Sequence, residues 1–404
     1  MTEQTIERLI QQEYERQMNT CQLIASENFT SPEVMAAQGS VLTNKYAEGY
    51  PGKRYYAGCD IVDEIESSAI KAAKDLFNAA GANVQPHSGS QANAAVYLAL
   101  LKPGDTILSM SMAGGGHLSH GASVNMSSHY YQIVNYGLNE QDDVDYDQVR
   151  QLARLHKPKL IIAGYSAFTK DIRWDLFREI ADEVGAYLLG DIAHTAGLIA
   201  AGLLSHPFPH AHVLTSTTHK TLRGPRSGLI MMGDESLVPL INRAVFPGLQ
   251  GGPLMHVIAA KAIALRQAGE PSFRSYQEQV LKNAKALAKG LQDAGIRLIG
   301  GGTSNHTVLI DLRRDEHPGS YYEAACESVG IILNKNCVFN DPRPPMKTSG
   351  LRLGTPALTT RGMKESHMYT IAGWISDIIK SQKADTHLSE KVRDLCSSFP
   401  LYSK

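Results

Sequence analysis

Between about residues 60 and 235, short apolar runs alternate with amphipathic stretches, and that alternation narrows the possible folds more than any other feature of the chain. The runs cover 106–110, 131–134, 160–163, 186–189, 213–214 and 228–232, and most of them show no polar–apolar alternation. Runs of this length that stay apolar throughout are strands buried on both faces. The stretches 146–156 and 175–184 between them repeat apolar residues every three to four positions. The pattern predicts βα units around a mainly parallel sheet, an α/β fold. In such sheets ligands sit at the carboxyl ends of the strands.

The flanks read differently. Residues 3–18 are polar with Ile6, Leu9, Ile10 and Tyr14 at helical spacing, which predicts a helical arm. After the Pro/Gly-rich link 246–253, residues 254–294 read as helical. Residues 296–299 and 308–312 read as strands separated by Gly300, Gly301 and Gly302, and 362–383 as a further helix. The last twenty residues carry little signal. The expected division is an arm over 1–35, a large domain over 36–280 and a smaller α+β domain over 281–404. The chain has 404 residues, enough for more than one core.

Composition excludes some partners. The formal net charge is −1, which gives no reason to expect nucleic acid or an anionic membrane surface as a partner. The five cysteines are dispersed with no CxxC pair, the pattern of reduced thiols in a cytoplasmic protein, and no metal is expected. The opening residues are polar and charged rather than a leader. No apolar run is long enough to span a bilayer.

The chemistry begins at Lys220, which lies in a hydroxyl-rich run (Thr215, Ser216, Thr217, Thr218, His219) before a glycine turn. Asp191 ends an apolar run about thirty residues earlier, with His194 just after it. A lysine and a carboxylate on neighbouring strand ends suit pyridoxal 5'-phosphate (PLP). The lysine forms the Schiff base, and the carboxylate keeps the ring nitrogen protonated. Asp191 also reads as the N-cap of the helix that follows, and His194 as an interior histidine. Ser88, Gly89 and Ser90 open an apolar helix, so their N–H and hydroxyl groups suit the cofactor phosphate, although Ser88 also reads as an ordinary cap. Gly114, Gly115 and Gly116 before His117 allow close approach to a ligand, with the imidazole placed to stack on a ring; a bare tight turn has the same composition. Residues 46–56 pack Tyr46, Tyr50, Tyr55 and Tyr56 around Glu48, either as an interface or as proton-transfer groups. Arg352 is an isolated cation among small and apolar residues, suited to a bidentate pair with an amino-acid carboxylate.

In order along residues 20–383, these segments closely resemble the serine hydroxymethyltransferase family. They include Leu23–Asn28, Asn44–Tyr56, Gln85–Asn93, the Thr217–Lys220 run and the residues from Thr348 to Arg352. The resemblance implies a fold-type I, aspartate-aminotransferase-like PLP transferase. Its large domain would hold a mostly parallel, mixed seven-stranded sheet, with a smaller C-terminal α+β domain. It also implies that Lys220 bears the cofactor, Asp191 binds its ring nitrogen and His117 stacks on the ring. Ser88, Gly89 and Ser90 would hold the phosphate, joined by Tyr46 and Gly252 of a second subunit. Ser166, His194 and His219 would lie near the cofactor, and Ser26 and Arg352 would take the substrate carboxylate. Glu48 of the partner chain would move a proton near the serine hydroxyl, with Tyr55 and Tyr56 beside it. Sites shared in this way imply a homodimer, with dimer against tetramer left open. The implied reaction is reversible transfer of the serine hydroxymethyl group to tetrahydrofolate, leaving glycine.

The chain departs from the usual family pattern in segments that hold folate: Met112, Gly116, His117 and Leu118 in one loop, Asn336, Pro344, Pro345 and Met346 in another. Met112 replaces a leucine, Gly114 a polar residue, Cys337 a small residue, Phe339 a proline, and Pro344-Pro345-Met346 a Ser-Pro-Phe run. Weaker or altered folate binding is expected. A PLP aldolase or transaldolase on β-hydroxy amino acids, or an α-methylserine hydroxymethyltransferase, is the second enzyme reading. An RNA-binding role is disfavoured by the near-neutral charge.

Overall fold

The computed structural model describes residues 5–402. The expected arm begins partly outside them: residues 3 and 4 are not described, and the helix observed is α1, Ile6–Asn19, capped by Thr5. The chain divides into two compact units. One runs from Asn28 to Glu278; the other combines residues up to Glu27 with those from Gln279 onward.

The larger unit is built on a seven-stranded sheet. Its strands are β1 (Gly81–Asn83), β2 (Thr106–Met110), β3 (Gln132–Tyr136), β4 (Leu160–Gly164), β5 (Tyr187–Asp191), β6 (Val213–Thr217) and β7 (Gly228–Met232). Their spatial order is β1-β7-β6-β5-β4-β2-β3. β7 is antiparallel to both neighbours, and the other pairings are parallel. This is the mixed, mostly parallel sheet of the fold-type I class. Every residue of β4 and β7 is buried, which explains why the runs 160–163 and 228–232 show no alternation; β6 is buried as well, although it ends in Thr215, Ser216 and Thr217. Ile107, Leu160, Ile162, Leu189, Val213 and Ile230 form one core with Ala92, Val96 and Tyr97 of α2, Gly89–Leu100.

In the smaller unit β8 (Thr307–Asp311), β9 (Asn334–Asn336) and β10 (Gly350–Gly354) form an antiparallel sheet with β10 in the centre. Two expectations need correction. Residues 296–299 do not form a strand: Leu298 makes one isolated bridge to Ile310, and the chain then turns through Ile299–Gly301. Gly300 and Gly301 adopt φ of 68° and 64°, which ends extended pairing. The helical stretch 254–294 is two helices, α3 (Met255–Ala268) and α4 (Pro271–Asp293), broken where Pro271 starts a new turn. The tail holds a helix at Leu388–Ser397, which buries Leu388, Val392 and Cys396 at four-residue intervals. All five cysteines are free thiols. No helix among the described residues is long and apolar enough to cross a membrane.

Candidate active site

β5 and β6 are parallel neighbours with Asp191 opposite Thr215, so the acid and the lysine segment leave the sheet side by side. Lys220 lies three residues past the end of β6, at the start of the turn Lys220–Leu222. Its φ is 60°, a left-handed conformation that costs a non-glycine residue of order 1 kcal/mol or more. The surroundings enforce it. Asn28 Nδ2 donates to Lys220 O at 2.8 Å, Thr218 Oγ1 to Pro225 O at 2.7 Å, and Gly224 N to Thr218 O at 2.9 Å. The Lys220 side chain is buried.

Asp191 does not cap the following helix, whose N-cap position is Thr195, without a side-chain capping bond. Its carboxylate is instead the centre of a buried network. His120 Nε2 lies 2.7 Å from Oδ2, Asn93 Nδ2 donates to Oδ2 at 2.9 Å, and Ala193 N donates to Oδ1 at 3.1 Å. The His120 tautomer follows from its other nitrogen: Nδ1 accepts the His117 amide, so Nε2 carries the proton and donates to Asp191. Burial alone would raise the Asp191 carboxyl. The His120 hydrogen bond, the neighbouring His120 and His117 and the Asn93 amide outweigh it and hold the group well below the usual carboxylate range. Asn93 is itself fixed by Thr215 Oγ1, which donates to its Oδ1 at 2.6 Å.

His117 comes from the same loop as His120. Its Nδ1 accepts the Ser119 amide at 3.2 Å, and Ser119 Oγ accepts from Asn93 Nδ2 at 2.9 Å. The glycines ahead of it are required at two positions, Gly115 and Gly116, where a Cβ would run into the carbonyls of Ala167 and Met110. A Cβ on Gly115, where φ is +110°, would fall 2.2 Å from Ala167 O. Gly115 O in turn accepts from Ser166 N and Ala167 N, so the same contact places Ser166. His117 and Met112 line a small cavity with His120, Gly121 and Asn135. Met112 and Leu118 are about half exposed.

Ser88 does cap α2, its hydroxyl accepting from Gln91 N at 3.2 Å. The cap does not exclude an anion site, since the first N–H groups of the helix stay available. A Cβ on Gly89 would meet Thr217 of β6, so this helix start packs directly on the strand leading to Lys220. His194 is buried, and its carbonyl accepts from Thr221 Oγ1 at 2.8 Å, next to the lysine turn. His219 Nδ1 has no hydrogen-bond partner among the described residues. Burial, then the charges of Lys220 and Arg226, push this imidazole down to about 3.

Tyr46, Glu48, Tyr56 and Gly252 form a second cluster. Tyr46 OH donates to Glu48 Oε1 at 3.2 Å, the Tyr46 and Tyr56 rings meet edge-on at 5.0 Å, and Gly252 lies against the Tyr46 ring. Tyr55 sits 5.7 Å from Phe246 and is 75% exposed. Arg54 ties this loop down by donating to the carbonyls of Ala47 and Gly49 and to the carboxylates of Asp63 and Glu66.

In the smaller unit Arg352 lies on β10. Burial pushes its guanidinium down to about 10, and Nε donates to Asn334 Oδ1 at 3.2 Å. Gly354 N donates to Leu23 O, and Gly354 packs on Ala25, which joins this strand to the segment holding Ser26. Asn336 pairs with Cys337 O. The loop with Pro344, Pro345 and Met346 is shaped by Asp341, which accepts from the amides of Val338, Arg343 and Ser349. Met346 is 79% exposed.

The site residues that sequence reasoning missed are His120 and Asn93. Asn93 closes the segment Gln85–Asn93 and His120 stands three residues after His117, but nothing local marks either as a partner of Asp191.

A mixed fold-type I sheet with a lysine and an ionised aspartate at adjacent strand ends defines a PLP-dependent enzyme. The family model for serine hydroxymethyltransferase matches residues 1–375. Proteins named serine hydroxymethyltransferase from Francisella tularensis subspecies mediasiatica, tularensis and novicida are each 56% identical over 405 aligned positions, covering 99% of this chain and 97% of theirs. The chain belongs to the serine hydroxymethyltransferase family, whose members are PLP-dependent and use tetrahydrofolate as co-substrate.

Proposed function

We propose that this chain catalyses the reversible transfer of the serine hydroxymethyl group to tetrahydrofolate, giving glycine and 5,10-methylenetetrahydrofolate. The observation that carries the reading is the Asp191 carboxylate, kept ionised by His120 and Asn93 on the strand beside the one that delivers Lys220. Those residues fit PLP: an ionised buried acceptor suits a ring N–H, and Ser88, Gly89 and Ser90 offer a helix start to its phosphate. Bound at the Lys220 amine, PLP supplies an electron sink for charge developing at the substrate α-carbon.

The protein's own part is to bind, orient and move protons. Asp191 would hold the proton on the ring nitrogen, and His117 would stack on the ring. Ser166 and His194 complete the cofactor surroundings. His219, neutral near pH 7, presents an uncharged imidazole beside the lysine. Arg352 and Ser26 take the substrate carboxylate; a guanidinium whose charge is disfavoured by burial gains from an anionic partner. Glu48 holds or gives a proton at the serine hydroxyl, with Tyr55 and Tyr56 beside it. Met112, Gly116, His117 and Leu118, with Asn336, Pro344, Pro345 and Met346, receive the folate. The setting is cytoplasmic, in keeping with five free thiols.

The working form is a homodimer in which Tyr46, Gly252 and Glu48 serve the partner's site. Two features support this. The tyrosine cluster is exposed, and α1 buries no residue while leaving Ile6 and Ile10 more than 60% exposed. Borohydride reduction followed by peptide mass analysis tests the cofactor assignment, with label expected on Lys220 alone; label elsewhere refutes it. Mixing inactive Lys220→Ala and Glu48→Gln proteins tests the shared site. Hybrid dimers should regain activity, and no recovery despite subunit exchange contradicts the sharing.

A further inference from the structure

Lys261 stands outside every motif discussed so far, on α3 among alanines and isoleucines, and is 1% exposed. Burying an ammonium is among the costliest things a fold does, and a methionine of similar length would fill the space without that cost. The group is fully engaged. Nζ donates to the carbonyls of Val84, Pro86 and Gly228, the last at 2.7 Å, so three N–H bonds meet three acceptors. None of those acceptors is a carboxylate. Burial pushes the Lys261 ammonium down to about 7, with Glu66 opposing through space, and three carbonyl acceptors call for the three N–H bonds that only the charged form has.

The acceptors show what the cation is for. β1 ends at Asn83, so Val84 and Pro86 lie in the connection between the sheet and the start of α2 at Gly89. Gly228 opens β7, and a Cβ there would fall 2.2 Å from Ser88 O. Lys261 therefore grips both sides of the contact that sets the position of Ser88. The rest of the connection is held as firmly. Pro86 O also accepts from Gly228 N and Ser227 Oγ, Gln85 O accepts from Gln250 Nε2, and His87 N donates to Gln250 Oε1.

We infer that Lys261 is a positioning residue for the cofactor phosphate: its ammonium fixes the backbone of the connection that presents Ser88, Gly89 and Ser90. The same connection has a second load. Gln85, between the two carbonyls that Lys261 holds, donates from Nε2 to Gly49 O at 2.9 Å and to Glu66 Oε1 at 2.8 Å. Gly49 follows Glu48, so Lys261 also steadies the loop that carries the proton-transfer acid. A single buried cation thus sets the register between phosphate site and acid loop.

This inference rests on the assignment of Ser88–Ser90 to the PLP phosphate, and the test separates the two. Purified wild-type, Lys261→Met and Lys261→Arg proteins are stripped of PLP and titrated with it. Melting temperatures of the apo and loaded forms and the phosphorus NMR resonance of bound PLP are recorded for each. The expected results for Lys261→Met are a PLP Kd raised by about tenfold or more, a smaller PLP-induced rise in melting temperature, and a displaced or broadened phosphorus resonance. Lys261→Arg, which keeps a cation, should fall between. If apo and loaded melting temperatures drop equally while Kd and the resonance stay at wild-type values, Lys261 serves packing only and the inference is overturned. Should Lys261→Met not fold, Lys261→Gln, with two N–H donors on a shorter stem, is read by the same criteria. A Ser88→Ala, Ser90→Ala protein with wild-type Kd and resonance overturns the phosphate assignment itself.

Discussion

Replacing Asp191 by asparagine keeps the shape of the side chain and removes its charge. Oδ2 now accepts from both His120 Nε2 and Asn93 Nδ2, and Oδ1 accepts from Ala193 N. An amide has one acceptor oxygen, so it cannot face all three donors. In its better orientation the oxygen keeps His120 and Asn93, and the NH2 group confronts the Ala193 amide. The Ala193 N–H and the new NH2 group are then two buried donors facing each other without an acceptor, at about 1–3 kcal/mol each. The bond from His120 also loses its ionic partner. The apoprotein should lose stability by that amount, visible in denaturant unfolding. The larger effect falls on chemistry. Without the carboxylate, the ring nitrogen of PLP has no group to hold its proton, and loss of one such preorganised charge costs roughly 100- to 1000-fold in kcat. The assay is glycine formation from serine with saturating tetrahydrofolate, on protein whose PLP content has been measured. A fully loaded Asp191→Asn protein with kcat within about threefold of wild type would refute the reasoning.

Three further outcomes are expected. His219 is held neutral with its folded value near 3, below the ordinary 6.5, so the unfolded chain binds the extra proton between those values. Stability from this group is complete above pH 6.5 and falls as pH drops toward 3, by about 1.4 kcal/mol for the first full unit. The apoprotein melting temperature of His219→Gln should therefore fall less steeply than wild type on acidification, and parallel curves would contradict the assignment. Gly115→Ala places a Cβ against Ala167 O at a φ of +110°. It should cost about 1–3 kcal/mol and weaken PLP binding by shifting His117 and Ser166 together; an unchanged PLP titration would show that the loop does not set either residue. Met346→Phe places an aromatic surface on the loop proposed to receive folate. Calorimetric titration in the presence of glycine should show tetrahydrofolate affinity rising by roughly two- to tenfold, and unchanged affinity would show that the departure at 344–346 does not weaken folate binding.

The sheet was legible because burial on both faces leaves a recognisable residue pattern: β4 and β7 read as continuous apolar runs and are buried along their whole length. The placement of Asp191 and Lys220 past neighbouring strands was legible because each follows an apolar run. What stayed hidden was decided by distant neighbours. His120 and Asn93 reach Asp191 across 71 and 98 residues of sequence, and no local periodicity reports such a pairing. Lys261 was hidden inside an apolar helix pattern, where its partners are backbone carbonyls that any sequence would supply. The helix Leu388–Ser397 went unread because three buried positions in a polar stretch are too few to stand out. Residues 296–299 had the right composition for a strand but met three glycines that turn the chain instead.

The most direct measurement is glycine production from serine by the PLP-loaded protein, with and without tetrahydrofolate, run beside Lys220→Ala. The account predicts turnover that depends on tetrahydrofolate, appears with an equal amount of 5,10-methylenetetrahydrofolate, and is lost in the variant. Serine cleavage at the same rate without tetrahydrofolate, or turnover retained by Lys220→Ala, would contradict it.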